Sequence, residues 1–211
     1  MNKSAIAEKL CDYGRSLFER GLTFGSSGNI SVKTETGWLM SPTGFAMNRL
    51  DPAELAELDE QGRPQKGPKP TKESFLHLAM YQARPNAAAI VHLHSTHSVA
   101  VSCLSDVNSE DVLPPVTAYY VMRVGKLPLI PYFPPGDLAL AEAVREKAGK
   151  HHCILLANHG PVVAGSSLSA AVDIIEELEE TAKLYLLLRN ERTRWLTPEQ
   201  CAELRSRNDS K

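Results

Sequence analysis

The sequence predicts a three-layer α/β domain built on a mixed or mainly antiparallel sheet. Apolar strand segments alternate with helical patterns, but without the regular strand–helix–strand spacing of a parallel sheet. Several strand pairs are separated only by tight turns, and such turns connect antiparallel strands. The chain has 211 residues and no internal repeat or linker. We therefore expect residues 1–211 to form a single domain with a full-sized core.

The N-terminal part is predicted to hold two long helices around four short strands. An apolar stripe at helical spacing covers about residues 4–20 and ends at Gly21, a residue typical of helix C-termini. The elements expected next are strands at 30–33 and 38–40, a short helix beginning at 51–54, a turn at 59–62 between two short strands, and a helix from about 71 to 84.

The C-terminal part begins with an apolar strand that carries two histidines, His92 and His94. The elements expected after it are a helix over about 95–104, a loop with Pro114 and Pro115, a strand at 127–130, a helix from 136 to about 147, a strand at 153–157, a hairpin at 161–163, a helix over about 169–189, and a last short helix after Thr197.

Composition and charge exclude several classes of protein. Lys and Arg number 23 against 25 Asp and Glu, so no footprint for nucleic acid or an acidic membrane is present. No apolar stretch approaches the roughly 20 residues that span a bilayer. The four cysteines are scattered without CxxC pairing, and the N-terminus does not resemble a signal peptide. We expect a soluble, cytoplasmic protein that binds neither nucleic acid nor a membrane.

Three histidines and one glutamate form a candidate metal site. His92 and His94 lie two residues apart on a predicted strand, so both imidazoles point to the same face. His159 follows a second apolar strand, and Glu73 lies at the start of a predicted helix. Three neutral imidazoles and a carboxylate suit a divalent cation, most simply Zn²⁺, although manganese, cobalt and iron accept the same ligands.

Two further histidines compete for a place in this site. His97 lies three residues beyond His94, in the following helix, and should point elsewhere. His77 lies four residues after Glu73 and shares its helix face. Either residue can support a metal ligand from behind or serve only in packing.

Three loops rich in small hydroxyl residues and glycines form a candidate anion site. They are 26–29, 41–44 and 71–72. Such loops offer backbone N–H groups and hydroxyls to a phosphate, and Lys72 adds a cation beside a helix N-terminus. Because Lys72 directly precedes Glu73, an anion bound there would lie next to the metal.

These residues together resemble the class II aldolase/adducin family. The family pattern of a GNxS turn, a TG turn, a glutamate opening a helix, an HxH strand and a late HG is found here, in order and over nearly the whole chain, as Gly28-Asn29-Ile30-Ser31, Thr43-Gly44, Glu73, His92-Leu93-His94 and His159-Gly160. The resemblance implies an α/β/α sandwich around a mainly antiparallel sheet. It also implies a homotetramer with sites at subunit interfaces and a metal, usually zinc, held by the three histidines and Glu73.

Within the family, the chain looks most like the 3-oxo-tetronate 4-phosphate decarboxylases. Fuculose-phosphate aldolases tend to have two serines before the glutamate, where this chain has Thr71-Lys72. The resemblance implies conversion of a 3-oxo-tetronate 4-phosphate into dihydroxyacetone phosphate and CO₂ through an enediolate, in the catabolism of four-carbon sugar acids. A sugar-phosphate aldolase is the first alternative, followed by an epimerase or dehydratase and then by a non-catalytic scaffold like adducin.

The resemblance also implies a role for each site residue. Glu73 is expected to carry the proton as well as bind the metal. Phosphate binding is expected of Gly28, Asn29, Thr43, Gly44 and Thr71. Lys72 is expected to pair with either the phosphate or the departing carboxylate. Tyr119 is a candidate proton donor from a neighbouring subunit, with packing as the equally weighted alternative.

Overall fold

The middle layer of the molecule is a mixed sheet. The computed structural model describes residues 2–134 and 136–209, and eight strands of the described chain form this sheet. The strands are β1 Asn29–Thr34, β2 Gly37–Met40, β3 Ala56–Asp59, β4 Pro64–Lys66, β5 Ala89–His92, β6 Leu129–Ile130, β7 Cys153–Leu156 and β8 Gly160–Gly165. Their spatial order is β4-β3-β2-β1-β5-β8-β7-β6, and only β6 and β7 pair in parallel. The predicted mainly antiparallel sheet is confirmed.

Helices cover both faces of this sheet. They are α1 Lys3–Glu19, α2 Ser74–Ala83, α3 Thr96–Ser102, α4 Ala118–Arg123, α5 Ala139–Ala148, α6 Leu168–Leu188 and α7 Pro198–Asp209, with single 3₁₀ turns at Met47–Arg49 and Pro52–Glu54. Helices α1, α3 and α6 contribute to the core on one face, and α2 and α5 to the core on the other.

Alternating side chains on the central strands supply both cores. On β5, Val91 packs with α1 and α6, whereas the preceding Ile90 packs with α2 and α5. Leu155 and Ile154 divide in the same way on β7. Because neighbouring strand residues point to opposite faces, a strand that is apolar at every position needs helices on both sides. This arrangement confirms the predicted α/β/α sandwich.

Several elements differ from the expectation at their ends. Strand β5 stops at His92, so His94 lies just beyond the sheet. Helix α2 begins at Ser74 and not near Thr71, because residues 71–73 form a turn in which the Thr71 hydroxyl accepts the Glu73 N–H. The predicted loop after Pro115 contains α4, which the Thr117 side chain caps by accepting the Tyr120 N–H at 3.0 Å.

The two outer strands of the sheet are short. Strand β4 has three residues, all exposed, and begins with Pro64, which has no N–H to donate. Strand β6 at the opposite edge has two residues. Neither edge offers a long ladder of unpaired backbone groups.

Among the described residues, no helix is both long enough and apolar enough to cross a membrane.

Helix α6 is tied to the start of α3 through one carboxylate. The Glu179 side chain accepts the backbone N–H groups of His97 and Ser98, each at 2.9 Å, and the Ser98 hydroxyl at 2.7 Å. Burial alone would raise the pKa of Glu179, but these hydrogen bonds outweigh burial and lower it. A long-range carboxylate therefore supplies the N-terminal cap that Ser95 does not provide to α3.

Replacing Glu179 with Ala should destabilise the fold measurably. The change leaves the buried Ser98 N–H and hydroxyl without their partner, at a cost of about 2 kcal/mol. Urea unfolding followed by circular dichroism measures this loss. The control is Glu180→Ala on the same helix, where the side chain is 62% exposed and the expected change is below about 0.5 kcal/mol. Equal stability of the two variants would contradict the capping role.

Candidate metal centre

The imidazoles of His92 and His94 meet at the end of β5. His92 is fully buried, and its Nδ1–H donates to the Pro161 carbonyl oxygen at 2.8 Å. That bond places the proton on Nδ1, which leaves the Nε2 lone pair of His92 directed into the site. The Nε2 atom of His94 lies 3.0 Å from the Nε2 atom of His92.

His159 reaches the same point from the turn between β7 and β8. Asn158 has φ 55°, the one left-handed φ found at a non-glycine residue among those described, and it reverses the chain just before His159. Gly160 has φ 148°, and a Cβ atom there would lie 2.3 Å from the Leu93 carbonyl oxygen. Only glycine allows this approach. As a result, the three imidazole centroids lie 4.7 to 4.9 Å apart.

Glu73 closes the cluster from the start of α2. Its Oε1 lies 3.0 Å from His159 Nε2, and its Oε2 lies 3.4 Å from His92 Nε2. Asn29 Nδ2 donates to Oε2 at 2.7 Å. One donor atom from each of Glu73, His92, His94 and His159 lies within 4.8 Å of all the others.

The protonation states of this cluster suit a metal ion. Burial lowers the pKa of His94 to about 4, and the nearby His92 and His159 act in the same direction. Burial also lowers the pKa of His92, against the opposing effect of Glu73. Burial alone would raise the pKa of Glu73, but His92 and the hydrogen bonds from His159 and Asn29 outweigh it and hold it well below its usual range. At neutral pH the site offers the unprotonated nitrogens of His92 and His94 and the charged carboxylate of Glu73, the forms that bind metals.

The donor set fits a divalent cation. Three imidazole nitrogens with one carboxylate form a ligand set found for zinc and similar metals. Because Nδ1 of His92 is hydrogen-bonded to the Pro161 carbonyl, its other ring nitrogen, Nε2, faces the cluster. The carboxylate side chain remains 20% exposed, so the site is open on one side to a small molecule.

The two rival histidines lie outside the cluster. His97 Nδ1 contacts Glu179 Oε1 at 2.8 Å and so faces α6. His77 is completely buried, with Nδ1 2.7 Å from the Ser31 hydroxyl and Nε2 against the Asn29 amide oxygen. His77 therefore lies behind Glu73 and contacts Asn29, whose amide donates a hydrogen bond to the Glu73 carboxylate.

The three candidate anion-binding loops converge beside Glu73. Thr43 N–H donates to the Lys69 carbonyl at 3.0 Å, and Thr71 N–H donates to the Ser41 carbonyl at 3.1 Å. The Ser41 hydroxyl accepts the Ile30 N–H at 3.1 Å, which joins this pair of loops to the start of β1.

Gly28 lies at the same junction. It has φ 76°, and a Cβ there would meet the His92 carbonyl at 3.1 Å. The loop that carries Gly28 thus packs directly against the end of β5, next to His92.

Lys72 and Tyr119 occupy different surroundings. Lys72 is exposed and directly precedes Glu73 in the chain. Tyr119 lies on α4, which packs on α6 and α7, and its side chain is 60% exposed. Arg123 lies over the Tyr119 ring at 5.2 Å from its centre. The described chain does not bring Tyr119 to the four-residue cluster.

Sequence reasoning missed Ser31, which contacts His77 behind the site, and Tyr81, which contacts Ser31. The Ser31 hydroxyl lies 3.0 Å from the Tyr81 hydroxyl. A signal was present, because Asn29 and Ser31 are polar residues two apart on a strand and must share one face. The spacing of Glu73, His77 and Tyr81 by four residues along a helix is a second signal.

This chain is similar to known proteins over most of its length. The model of the class II aldolase and adducin N-terminal domain matches residues 8–186. The 3-oxo-tetronate 4-phosphate decarboxylase of Escherichia coli K12 is 45% identical over 205 residues, which are 97% of either chain. The enzyme of that name from Haemophilus influenzae is 45% identical over 98% of this chain and 99% of its own.

A solved structure gives the same result for the fold. The crystal structure of YgbL from Escherichia coli, described as a putative aldolase/epimerase/decarboxylase, superposes with a TM-score of 0.94 at 44% identity. The match covers 96% of this chain and 99% of that one. The matched segment of the family model includes all four residues of the cluster, and from these likenesses we conclude that the chain belongs to the class II aldolase and adducin family.

Proposed function

We propose that this chain is a metal-dependent carbon–carbon lyase that converts a 3-oxo-tetronate 4-phosphate into dihydroxyacetone phosphate and CO₂. The observation that carries the proposal is the convergence of Glu73 and three imidazole Nε2 atoms within 4.8 Å, at an opening beside three anion-binding loops. The names of relatives 45% identical over nearly the full chain support the decarboxylase over the aldolase alternative.

In this proposal His92, His94 and His159 hold a divalent cation, most simply Zn²⁺, with Glu73 as a fourth ligand before substrate binds. The bound cation supplies Lewis acidity, which stabilises negative charge on the C2 and C3 oxygens of the substrate. His92 and His94 keep their lone pairs free for this task because burial lowers their pKa values.

Glu73 moves the proton. The substrate is a β-keto acid, so breaking the C1–C2 bond releases CO₂ and leaves the bonding electron pair as an enediolate over C2 and C3. One proton added at C2 completes dihydroxyacetone phosphate, so each turnover consumes one proton. Glu73 rests as a carboxylate. When substrate displaces it from the cation, burial would raise its pKa, so that its 20% exposed side chain can take this proton from water at the opening and pass it to C2.

The phosphate is assigned to the converging loops. The residues proposed to bind it are Gly28, Asn29, Thr43, Gly44 and Thr71. The backbone N–H groups of Thr43 and Thr71 already donate to carbonyl oxygens, so these two residues would bind the phosphate through their hydroxyl groups, and Gly28 and Gly44 through their N–H groups. Asn29 contributes through the second hydrogen of its amide nitrogen, since the first is used by Glu73.

The exposed Lys72 supplies the positive charge at the opening. Its position next to Glu73 allows contact with either the phosphate or the carboxylate that leaves as CO₂. Tyr119 remains a candidate proton donor only if a neighbouring subunit presents it. The proposed assembly is accordingly a cytoplasmic homotetramer, acting in the catabolism of four-carbon sugar acids.

Direct turnover tests the function. Purified, zinc-loaded protein given a 3-oxo-tetronate 4-phosphate should release dihydroxyacetone phosphate and CO₂ in equal amounts. A chelator should abolish the reaction, and added zinc should restore it, because the donor cluster has no other source of Lewis acidity. Coupled detection of both products is the measurement. Cleavage of fuculose 1-phosphate without decarboxylation would favour the aldolase alternative.

Substituting Glu73 with Gln should remove turnover while leaving the fold intact. The amide cannot carry the proton, so we expect kcat to fall about 100-fold or more. Metal content should be retained at least in part, because the three histidines remain. Glu60→Gln in an exposed turn is the matched control and should behave as wild type. A near-wild-type rate for Glu73→Gln would refute the proton-carrier role.

Metal content distinguishes the two histidines that flank the start of α3. His94→Ala should lose the metal on dialysis, since one of three imidazole ligands is gone. His97→Ala should keep it, because the ring of His97 faces Glu179 and not the cluster. Elemental analysis of both variants gives the answer. Full metal occupancy in His94→Ala would overturn its assignment as a ligand.

A further inference from the structure

Five side chains alternate between α2 and β1 behind the metal centre. They form an unbroken series of polar contacts, from Glu73 to Asn29, His77, Ser31 and Tyr81. Glu73, His77 and Tyr81 come from the helix segment, and Asn29 and Ser31 come from the strand. We propose that Tyr81, Ser31, His77 and Asn29 are positioning residues that hold the Glu73 carboxylate in the orientation needed to deliver its proton. This inference rests on the function proposed above.

The alternation follows from the geometry of the two elements. Four residues of a helix advance about 6 Å. Two residues of a strand advance about 6.7 Å. The distance between every fourth helix side chain therefore nearly equals the distance between every second strand side chain. The two sets of side chains stay in register over the short distance between Glu73 and Tyr81. The two rows interlock, and each inner member contacts one partner on either side.

The direction of hydrogen bonding is determined from one end to the other. A carboxylate only accepts, so the Asn29 amide nitrogen must face Glu73 and its oxygen must face His77. His77 Nε2 consequently carries the hydrogen. The completely buried His77 ring is hydrogen-bonded to two uncharged side chains, Asn29 and Ser31, so it is neutral and its Nδ1 accepts from the Ser31 hydroxyl. The Ser31 oxygen then accepts from Tyr81, whose pKa burial raises.

The two carboxylate oxygens of Glu73 have different hydrogen-bond partners in this arrangement. Asn29 occupies Oε2, so a proton on the carboxyl group is favoured at Oε1, the oxygen on the side of His159. Reversing the His77 tautomer would set two acceptors, Nε2 and the Asn29 oxygen, against each other. The Asn29 amide would then flip, so that its oxygen faces the Glu73 carboxylate and its hydrogen bond to that carboxylate is lost. The tautomer of a buried histidine thus governs where the catalytic carboxyl group points.

The first test reads that tautomer in the metal-free protein and needs no activity. Long-range ¹H–¹⁵N spectra of the imidazoles separate Nδ1–H from Nε2–H forms, and the His77 signal is assigned by its loss in His77→Gln. We expect neutral His77 with hydrogen on Nε2 at pH 7. A hydrogen on Nδ1, or on both nitrogens, would overturn the proposal whether or not the protein proves to be a decarboxylase.

The second test compares two substitutions of His77 at saturating zinc. His77→Leu breaks the series and should lower kcat about 10- to 100-fold, as loss of residues supporting metal ligands typically does. KM should change less than kcat, because the substrate contacts Asn29 but does not touch His77. His77→Gln can donate to Asn29 and accept from Ser31, so it should recover most of the rate. Equal rates for the two variants would contradict positioning by hydrogen bonds.

If His77→Leu does not fold, a second pair of substitutions, Ser31→Ala and Ser102→Ala, tests the same proposal with a smaller change in the core. Ser31→Ala removes the donor to His77 Nδ1 and should lower kcat several-fold while mixing the two tautomers in the spectrum. Ser102→Ala removes another buried hydroxyl, which bonds only the Val99 carbonyl, and should change neither. A wild-type rate and spectrum for Ser31→Ala would overturn the proposal. Absence of decarboxylation in the wild type would refute the function alone, since the tautomer still decides the positioning role.

Discussion

The close approach of Gly160 to the Leu93 carbonyl is the constraint on which the candidate metal centre depends. It sets the turn that carries His159 against the end of the strand that carries His92, where any Cβ would lie 2.3 Å from that oxygen. The next residue, Pro161, then accepts hydrogen bonds from both Leu93 N–H and His92 Nδ1–H. A single piece of backbone thereby sets the distance between two histidines and the tautomer of one of them.

Burial and hydrogen bonding act on the site in opposite directions, and both effects are useful. Burial disfavours charge on His92 and His94, so their nitrogens stay unprotonated. Glu73 is also substantially buried, yet the donors around it keep it ionised. The cluster therefore combines neutral nitrogen donors with one negative charge. Such a set offsets part of the charge of a dication without the repulsion that several neighbouring carboxylates would produce.

Local patterns in the sequence predicted the sandwich and the convergence of Glu73, His92, His94 and His159, although His94 lies just beyond the strand that was expected to carry it. These predictions succeeded because strand alternation and helix periodicity are local properties. The six-residue helix α4 was missed, since its stability comes from the Thr117 cap and from packing on α6 and α7. The contacts of His77 could not be predicted either, because they depend on the register between a helix and a strand that are more than forty residues apart in the sequence.

The blunt edges of the sheet bear on how copies of this chain meet. Strand β4 is three exposed residues with a proline at its start, and β6 is only two residues long. Sheet extension from one molecule to the next requires a run of unpaired N–H and C=O groups, which these strands do not supply. Amyloid-like stacking through either edge is thus disfavoured. An assembly of copies would instead use helices and loops, whose side chains can encode a specific and finite contact.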